Sequence, residues 1–371
     1  MKIINIINEF TNRQKLNTAI MWTIIAVSFI VMVPFIVNAF FAYPMADDFF
    51  HAQRFSDSTI YEVCRDTYYN WSGRYFATFI SILNPLILEC VDLLIVYSIV
   101  LLFSSYIVIW FLIRKLCGNK LSKLSNCALT GLVMTSFLSS VPSAHEFYYW
   151  FSAYITYTIP VILQILFFGI CINFYKTHIK KKSISFILIT IILLFVIVGS
   201  NEFSIIQMHA FLAIAVICIP SLRKNKYVYI LYSALLLFTV FSIIAPGNFK
   251  RFEICNANVS IVRAFLLATY YSIKFVLNHA VTYCISGIIY ICCFAKQLSN
   301  IQDCTVKIHP AIFTLLCIIT LVFLQFFSFY TTLSQLLCRT ENGTFLLSLL
   351  FWFCIIQMFY NFYSHCIKEK N

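Results

Sequence analysis

The fold of this 371-residue chain is decided where a long apolar run meets a polar one. Residues 18–76 read TAIMWTIIAVSFIVMVPFIVNAFFAYPMADDFFHAQRFSDSTIYEVCRDTYYNWSGRYF. The apolar part, 18–41, exceeds the roughly 20 residues that a helix needs to span a bilayer. The polar part, 43–76, mixes acids and arginines with aromatic residues, and further long apolar runs follow it. We therefore predict a membrane helix followed by a loop that carries the reactive groups.

The composition excludes a soluble globular protein. Hydrophobic residues make up 61% of the chain and charged residues only 11%, whereas a soluble domain carries about 25% charged residues. The mean hydropathy is +0.88. A membrane β-barrel would appear as alternating segments of about ten residues, and the chain has none. The class that remains is an all-α polytopic membrane protein.

The apolar runs predict about ten transmembrane helices in a single domain, 1–371, with interfacial helices at the outer face and no separate soluble domain. Two stretches are too long for one crossing. We divide the first into a surface helix, 74–88, and a span, and the second, 260–294, into an outer helix carrying Arg263 and Lys274 and a span. The span of the first divided stretch is 93–113, and the remaining predicted spans are 18–41, 126–141, 154–175, 184–198, 203–219, 227–244, 311–330 and 345–363.

The net charge of +12 reports orientation in the membrane and not nucleic-acid binding. When the spans alternate, most of the 26 Lys and Arg residues fall in the even loops and the tails, as the positive-inside rule requires of the cytoplasmic side. We therefore predict that both termini are cytoplasmic. Half of the 14 acids lie from Asp47 to Asp92, in the first outer loop, 42–92. The outer cations are nearly all arginines, whose planar fork suits phosphate and carboxylate groups.

Asp47 and Asp48 are the first candidates for chemistry, because they open a predicted helix just beyond the first span. One interpretation is a helix cap, since carboxylates are stabilised by the free N–H groups and the dipole of a first turn. The other is a general base that takes a proton from an incoming hydroxyl group. Neighbouring helical side chains point about 100° apart, so one aspartate would be the base and the other its support. Whether a divalent cation joins the pair is left open.

An Ala-Asp-Asp sequence directly after the first span resembles the acidic motif of the GT-C superfamily, integral-membrane glycosyltransferases that use lipid-linked sugars. Further landmarks are similar to a poorly characterised bacterial family within that group: Trp71-Ser-Gly-Arg74-Tyr75, Tyr149-Trp150 with Tyr154, Asn201-Glu202, and Pro246-Gly-Asn248 with Arg251. The landmarks extend from about residue 43 to residue 251, and the last third of the chain matches only in hydropathy. The chain departs from the pattern in two ways: after Trp150 it reads Phe-Ser-Ala, without an expected glycine, and we expect no large soluble domain after the spans, where many members of the superfamily have one.

The resemblance implies a sugar transferase at the outer face of a bacterial inner membrane. Its donor would be a sugar on polyprenyl phosphate, and its acceptor a glycan or lipid of the cell envelope. Asp47 or Asp48 would deprotonate the acceptor, with inversion at the anomeric carbon. The donor phosphate is assigned to Arg74, Arg251, Arg263 and Arg339, and the sugar or acceptor to Glu146, Tyr149, Trp150, Tyr154, Asn201, Glu202 and Asn248. Simpler roles stay open for these residues, as counter-ions, interfacial acids and an aromatic membrane belt.

Other functions compete with a transferase. A polymerase or ligase of lipid-linked glycans would also need outer arginines. A flippase or transporter of lipid-linked sugars is the main alternative from another class, but carriers bury ionisable groups in the middle of their spans, and these spans are nearly uncharged. The 15 cysteines are scattered, without the Cys/His spacing of a metal site.

Overall fold

A computed structural model describes residues 14–176, 184–255, 260–299, 308–332 and 338–370, and every regular element in these ranges is helical. Eight of the described helices are long and apolar enough to cross a membrane: α1 (Gln14–Ala39), α5 (Leu93–Cys117), α7 (Phe151–Lys176), α10 (Lys226–Ile243), α12 (Ile261–Asn278), α13 (Ala280–Leu298), α14 (Pro310–Thr332) and α15 (Cys338–Lys370). Shorter helices are α2 (Asp47–Ser56), α3 (Ile60–Asn70), α4 (Tyr75–Ile80), α6 (Lys123–Leu138), α8 (Ile184–Val198), α9 (Glu202–Cys218) and α11 (Pro246–Cys255). The chain is thus an all-α polytopic membrane protein.

The number of long apolar helices differs from the predicted ten because of helix length. The helices α6, α8 and α9 coincide with predicted spans but contain 16, 15 and 17 residues. At 1.5 Å per residue they reach about 22–26 Å, against a hydrocarbon core of about 30 Å. Conversely, the predicted outer helix corresponds to α12. This helix contains 18 residues, as many as α10, and so is also long enough to be counted as a span. By length and composition, eight helices qualify as spans within the described residues.

The membrane helices pack in pairs around one large core and smaller clusters. Helix α1 packs on α6, and α5 packs on α7, with Phe137 and Phe147 in edge-to-face contact at 5.1 Å in the largest cluster. Helix α12 packs on α14 through Ala264 and Ala268, which touch Phe329. Small residues at such positions let two membrane helices approach closely, so α12 is held against the bundle by its narrow alanine face.

Helix α7 begins irregularly. Trp150 before it is extended, with φ −96° and ψ 112°, and the second turn of the helix, Tyr154–Thr158, is a π-helical turn. A further π-helical turn, His145–Tyr149, precedes Trp150. Such turns widen the backbone locally and are frequent at functional sites. The aromatic residues that could have formed a membrane belt therefore lie in the irregular segment that leads into α7. Among them, Tyr149 and Tyr154 are buried.

The polar stretch after α1 folds as α2, α3 and the short α4. Helix α3 starts with a capping box between Thr59 and Glu62, which satisfies two free N–H groups reciprocally. The predicted surface helix 74–88 is wrong in its length, because α4 ends at Ile80 and only one 3₁₀ turn follows. Pro85 disfavours helical backbone at Asn84, and the Asn84 side chain instead donates to the carbonyl oxygen of Asp48 at 2.7 Å.

The helix ends form two groups, one of which we call the acidic end. It consists of α2, α3, α4, the 139–150 segment, the 199–201 turn, α11 and the first turn of α15. Long-range contacts join these parts. Tyr68 stacks on Phe241 at 5.2 Å, and the Asn342 amide donates to the carbonyl of Ser143 and accepts from its N–H, both at 2.8 Å. Acids and arginines far apart in the sequence are thereby collected at one end of the bundle.

Candidate functional site

Two turns of the acidic end meet backbone to backbone. The N–H of Gly73 donates to Asn248 Oδ1 at 3.0 Å, and Asn248 Nδ2 donates to the carbonyl of Ser242 at 2.8 Å. A Cβ on Gly73 would lie 1.9 Å from the Ser242 oxygen, and a Cβ on Gly247 would lie 2.4 Å from the nitrogen of Trp71. Only glycine allows so close an approach. The amide of Asn248, predicted to contact a sugar, is occupied with joining these turns.

The turn between α8 and α9 is the third part of this junction. The N–H of Phe76 donates to the carbonyl of Gly199 at 2.8 Å. Asn201 caps α9, as asparagine commonly does at a helix start, and its Nδ2 also donates to the carbonyl of Thr156 in α7. Asn201, predicted to contact a sugar, therefore fixes α9 against α7 and brings Glu202 to the arginine-bearing turns.

Glu202 lies between two arginines, and we call these three residues the paired cluster. Nε and Nη2 of Arg74 donate to Glu202 Oε2 at 2.9 and 2.7 Å, and Nη2 of Arg251 donates to Oε1 at 2.5 Å. The Glu202 side chain is 16% exposed, and those of Arg74 and Arg251 are 27% and 24% exposed. Charge-assisted hydrogen bonds of this kind are short and strong. Two positive charges and one negative charge leave the cluster with a net charge of +1.

The paired cluster stays ionised. Burial disfavours the charged form of Glu202, but the charges of Arg74 and Arg251 outweigh it and hold the pKa of the carboxyl group well below its usual range. Burial acts likewise on Arg74, and the Glu202 carboxylate outweighs it and raises the pKa of the guanidinium. A carboxylate with so low a proton affinity is a poor general base. The cluster can therefore position charge but is unsuited to carry protons.

Asp48 is fully buried, and its carboxylate is saturated with donors. Oδ2 accepts from the N–H of Met45 at 2.9 Å, and Oδ1 accepts from both the N–H of Ser152, at 2.9 Å, and the Ser152 hydroxyl group. These bonds tie the start of α2 to the start of α7. Of the two predicted aspartates, Asp48 thus has the geometry of a support, and none of the described side chains caps the first turn of α2.

Asp47 differs from its neighbour because it is exposed at the first position of α2. Its carboxylate accepts no hydrogen bond from the described residues, and it raises the pKa of the nearby His51 against the larger, lowering effect of burial. Asp47 is therefore the carboxylate of the pair that is accessible to a substrate proton. Among the described residues, no three His, Cys, Asp or Glu side chains form a group that could hold a metal ion.

Arg339, in the first turn of α15, has aromatic neighbours and forms no ion pair within 4.0 Å among the described residues. Its Cζ lies 5.3 Å from the ring centroid of Tyr157 and 5.8 Å from that of Trp150. Arg74 lies 5.9 Å from the Tyr157 ring as well. Nε of Arg339, Nε1 of Trp150 and Oε2 of Glu146 are buried, and none has a hydrogen-bond partner in the described part of the chain. The Tyr157 ring thus contacts both Arg74, which is paired with Glu202, and Arg339, which forms no ion pair among the described residues.

A small hollow opens beside Arg339, between α7, α9 and α15. Its enclosed volume is about 10 Å³, roughly the room that one water molecule needs. The lining includes Tyr157, Asn201, Ser204, Gln207, Arg339 and Thr340. The hollow is therefore a shallow polar depression beside the Arg339 guanidinium.

The other predicted site residues lie apart from the hollow or serve packing. The hydroxyl group of Tyr149 donates to the carbonyl of Phe35 at 2.9 Å. Tyr154 is buried, with its ring 5.4 Å from that of Phe151. Arg263 is exposed on the first turn of α12 and contacts neither the paired cluster nor Arg339. Of the four predicted phosphate-binding arginines, the structure brings three together around Glu202 and Tyr157.

Sequence reasoning missed three residues of this site: Ser152, Tyr157 and Gln207. A signal existed for two of them. Tyr157 follows Trp150 by seven residues, a spacing that would place both on one face if the helix began before Trp150. Gln207 is an amide inside a largely apolar helix, which is a usual sign of a polar contact within a membrane bundle. Ser152 gave no signal, because its role depends on a contact with Asp48 across 104 residues of sequence.

Comparison of this chain with models of protein families, with curated proteins and with solved structures yields no match. No family assignment follows from these comparisons. Functional statements about the protein therefore depend on its own residues and their geometry.

Proposed function

We propose that the protein is a membrane glycosyltransferase of the GT-C type, which moves a sugar from a polyprenyl-phosphate donor to a glycan or lipid acceptor of the cell envelope. In this proposal the acidic end faces outward from a bacterial inner membrane, and both termini are cytoplasmic. One observation carries the proposal: an accessible carboxylate, Asp47, shares one end of a helical bundle with a positively charged cluster and with Arg339, whose guanidinium forms no ion pair among the described residues.

Arg339 is the main contact of the donor phosphate in this proposal. A guanidinium is always charged, and a poorly solvated charge costs free energy until an anion compensates it. The arginines of the paired cluster already bind Glu202. They therefore contribute the net positive charge of the cluster and do not bind the phosphate directly. The rings of Tyr157 and Trp150 hold the Arg339 guanidinium in place by cation–π contact.

Asp47 is the general base, and Asp48 holds the start of α2 that carries it. The Asp47 carboxylate takes the proton of the acceptor hydroxyl group while the oxygen forms a bond to the anomeric carbon. The bond from that carbon to the phosphate oxygen breaks on the opposite face. The electron pair leaves with the lipid phosphate, and the configuration inverts. Fixed guanidinium groups stabilise the charge that develops on the phosphate.

The test is transfer of a labelled sugar from synthetic polyprenyl phosphate to an envelope extract by the purified protein. We expect Asp47→Asn to lower turnover at least about 100-fold, the lower limit of the contribution of a general base. Its thermal unfolding should match that of the wild type, because the carboxylate is exposed and accepts no described hydrogen bond. The control is Asp57→Asn, an exposed acid at the end of α2, which should keep full activity.

Two results would change the proposal. Full turnover by Asp47→Asn would remove the assigned base. Movement of the labelled donor across liposomes without any new glycosidic bond would replace the transferase with a carrier. Asp48→Asn is expected to lower both activity and unfolding temperature, since an amide nitrogen would face donors that now bond to a carboxylate oxygen.

A further inference from the structure

The end of the bundle opposite the acidic end carries positive charge without acids. Three of its segments are the end of α5 (111–117), the end of α7 (165–176) and the turn from α9 to α10 (214–228). Together they contain no Asp or Glu, and their cations are Arg114, Lys115, Lys176, Arg223, Lys224 and Lys226. We call Lys176, Arg223, Lys224 and Lys226 the basic corner. It is the reverse of the acidic end, where acids and arginines lie together.

Contacts at the end of α7 bring these segments together. Nζ of Lys176 donates to the carbonyl oxygen of Leu116, in the last turn of α5, at 2.6 Å. On the other side, the hydroxyl groups of Tyr175 and Ser221 share a hydrogen bond at 2.6 Å. The end of α7 therefore lies between the end of α5 and the turn from α9 to α10. Cations that are separated in the sequence meet there.

The described part of the chain does not balance the charge of the basic corner. Nε and Nη2 of Arg223 donate to two carbonyl oxygens near the end of α9, at 3.2 and 3.1 Å. Such neutral acceptors satisfy N–H groups but leave the positive charge in place. Lys224 and Lys226 are exposed, and none of the four cations forms an ion pair within 4.0 Å among the described residues. An anion would relieve the repulsion between the three cations of the turn.

An exposed apolar stripe of α10 begins at the basic corner. Three of the 18 residues of α10 are buried. Tyr229, Leu236, Leu237 and Val240 are between 43% and 66% exposed, and their spacing places them on one face of the helix. Tyrosine is typical of the level at which lipid headgroups lie. A cluster of cations and an apolar stripe therefore adjoin, in the same order as the headgroup and the acyl chains of a lipid.

We infer that the basic corner binds an anionic phospholipid, with the phosphate on Lys224 and Lys226 and the acyl chains along the exposed stripe of α10. Orientation in the membrane requires only that cations lie on one side, and it does not require cations of different segments to meet. Basic pockets between membrane helices are typical sites for anionic headgroups. A free phosphate would leave the apolar stripe unused. The inference does not depend on the proposed function.

The experiment is native mass spectrometry of the full-length protein in a neutral detergent, which measures the affinity of the first bound lipid. The probes are phosphatidylglycerol, which is anionic, phosphatidylcholine with the same acyl chains, which is zwitterionic, and soluble glycerol 3-phosphate. We expect the wild type to bind phosphatidylglycerol about 30-fold more tightly than phosphatidylcholine, because each of two lysines contributes a factor of about five. The preference should shrink as the ionic strength rises. Glycerol 3-phosphate should bind more weakly than either lipid.

The deciding variant is Lys224→Gln/Lys226→Gln. Both side chains are exposed, and loss of a cation from the first turn of α10 suits the helix dipole, so the fold is retained. The affinity for phosphatidylglycerol should fall about 30-fold, and that for phosphatidylcholine should not change. The matched control is Lys123→Gln/Lys296→Gln, which removes the same charge from the same end of the bundle, at the start of α6 and in the last turn of α13. It should keep the preference of the wild type.

Four outcomes would overturn the inference. The first two are equal affinities of the wild type for the two lipids and an unchanged preference in Lys224→Gln/Lys226→Gln. The third is an equally large loss in the control variant, which would show that net charge attracts the lipid and the basic corner does not. The fourth is binding of glycerol 3-phosphate as tightly as phosphatidylglycerol, which would assign the corner to soluble phosphates. None of these results bears on sugar transfer, so the proposed function fails separately.

Discussion

The paired cluster and the hollow beside Arg339 hold arginines in different states, although Arg74 and Arg339 lie within 6 Å of the same Tyr157 ring. In the paired cluster, both oxygens of Glu202 are bonded to guanidinium groups, and the chain itself supplies the anion. Beside the hollow, Arg339 contacts two aromatic rings and forms no ion pair within the described residues. The difference indicates that one region is held together by its own ion pairs, whereas the other holds a guanidinium without one.

Removal of the Glu202 carboxylate should have the largest effect on stability, because it removes the only anion of the paired cluster. Glu202→Gln leaves Arg74 and Arg251 without a counter-ion. We expect the free energy of unfolding to fall by about 3 kcal/mol, the lower end of the roughly 3–5 kcal/mol for breaking a buried pair, since the arginines keep about a quarter of their exposure. Thermal unfolding in detergent measures the change. Glu253→Gln, an exposed acid of α11, should leave the midpoint unchanged, and equal midpoints for the two variants would refute the structural role of the cluster.

A methyl group added at Gly247, in the junction between the turns, should lower the free energy of unfolding slightly less than Glu202→Gln does. In Gly247→Ala, the new Cβ would meet the backbone of Trp71 at 2.4 Å. Backbone cannot swing aside, so we expect a loss of about 2 kcal/mol, within the range for overpacking. Gly131→Ala is the comparison, since its Cβ meets the side chains of Ser28 and Tyr106 at 3.2 Å. A larger drop in unfolding temperature for Gly131→Ala would contradict the close turn contact.

The pH dependence of stability tests whether the Glu202 carboxyl group of the paired cluster is ionised. Because the pKa of Glu202 is depressed in the folded protein, its contribution is complete above the unfolded-state pKa of about 4.3 and is lost as the pH falls towards the folded pKa. The advantage of the wild type over Glu202→Gln should be constant between about pH 7 and 5 and should shrink by about 1 kcal/mol at pH 3.5. Paired thermal scans across this range measure it. An advantage that already declines near pH 6 would show that the carboxyl group is not held ionised.

Removal of the unpaired arginine should have the smallest effect on stability. Arg339→Met discards a charge that has no anion and keeps an apolar stem of similar length. We expect the free energy of unfolding to change by less than about 1 kcal/mol, because the lost cation–π contacts offset the lost cost of desolvation. Arg74→Met, which leaves Glu202 with one partner fewer, is the matched variant. A drop as large for Arg339→Met as for Arg74→Met would remove the distinction between the two regions.

Much of the helical architecture could be predicted from the sequence, because apolar runs and polar interruptions are local properties. The helix bounds near α1, α5 and α8 follow the predicted spans closely. Whether α12 lies at the surface or crosses the membrane was harder to predict from the sequence, since an apolar helix with few charges is compatible with both placements. The early end of α4 depends on Pro85, a local signal, and on the contact of Asn84 with Asp48, which is 36 residues away.

The candidate site was predictable in its residue types but not in its pairing. The landmarks named Arg74, Glu202 and Arg251 separately, yet nothing local shows that one carboxylate serves both arginines across 128 and 49 residues. Of the four assigned arginines, only Arg74 and Arg251 belong to the landmarks, yet in the structure both are paired with Glu202, and Arg339 forms no ion pair among the described residues. Asp47 and Asp48 were equivalent in sequence, and only burial separates them.

The irregular start of α7 has a consequence for inhibitor discovery. Ser152, which anchors Asp48, and Tyr157, which faces two arginines, flank and occupy one π-helical turn. A compound wedged against Tyr157 would therefore displace the anchor of the carboxylate as well. If the protein is the transferase proposed above, resistance by substitution in this turn would also lower its activity, and the segment would be a durable target.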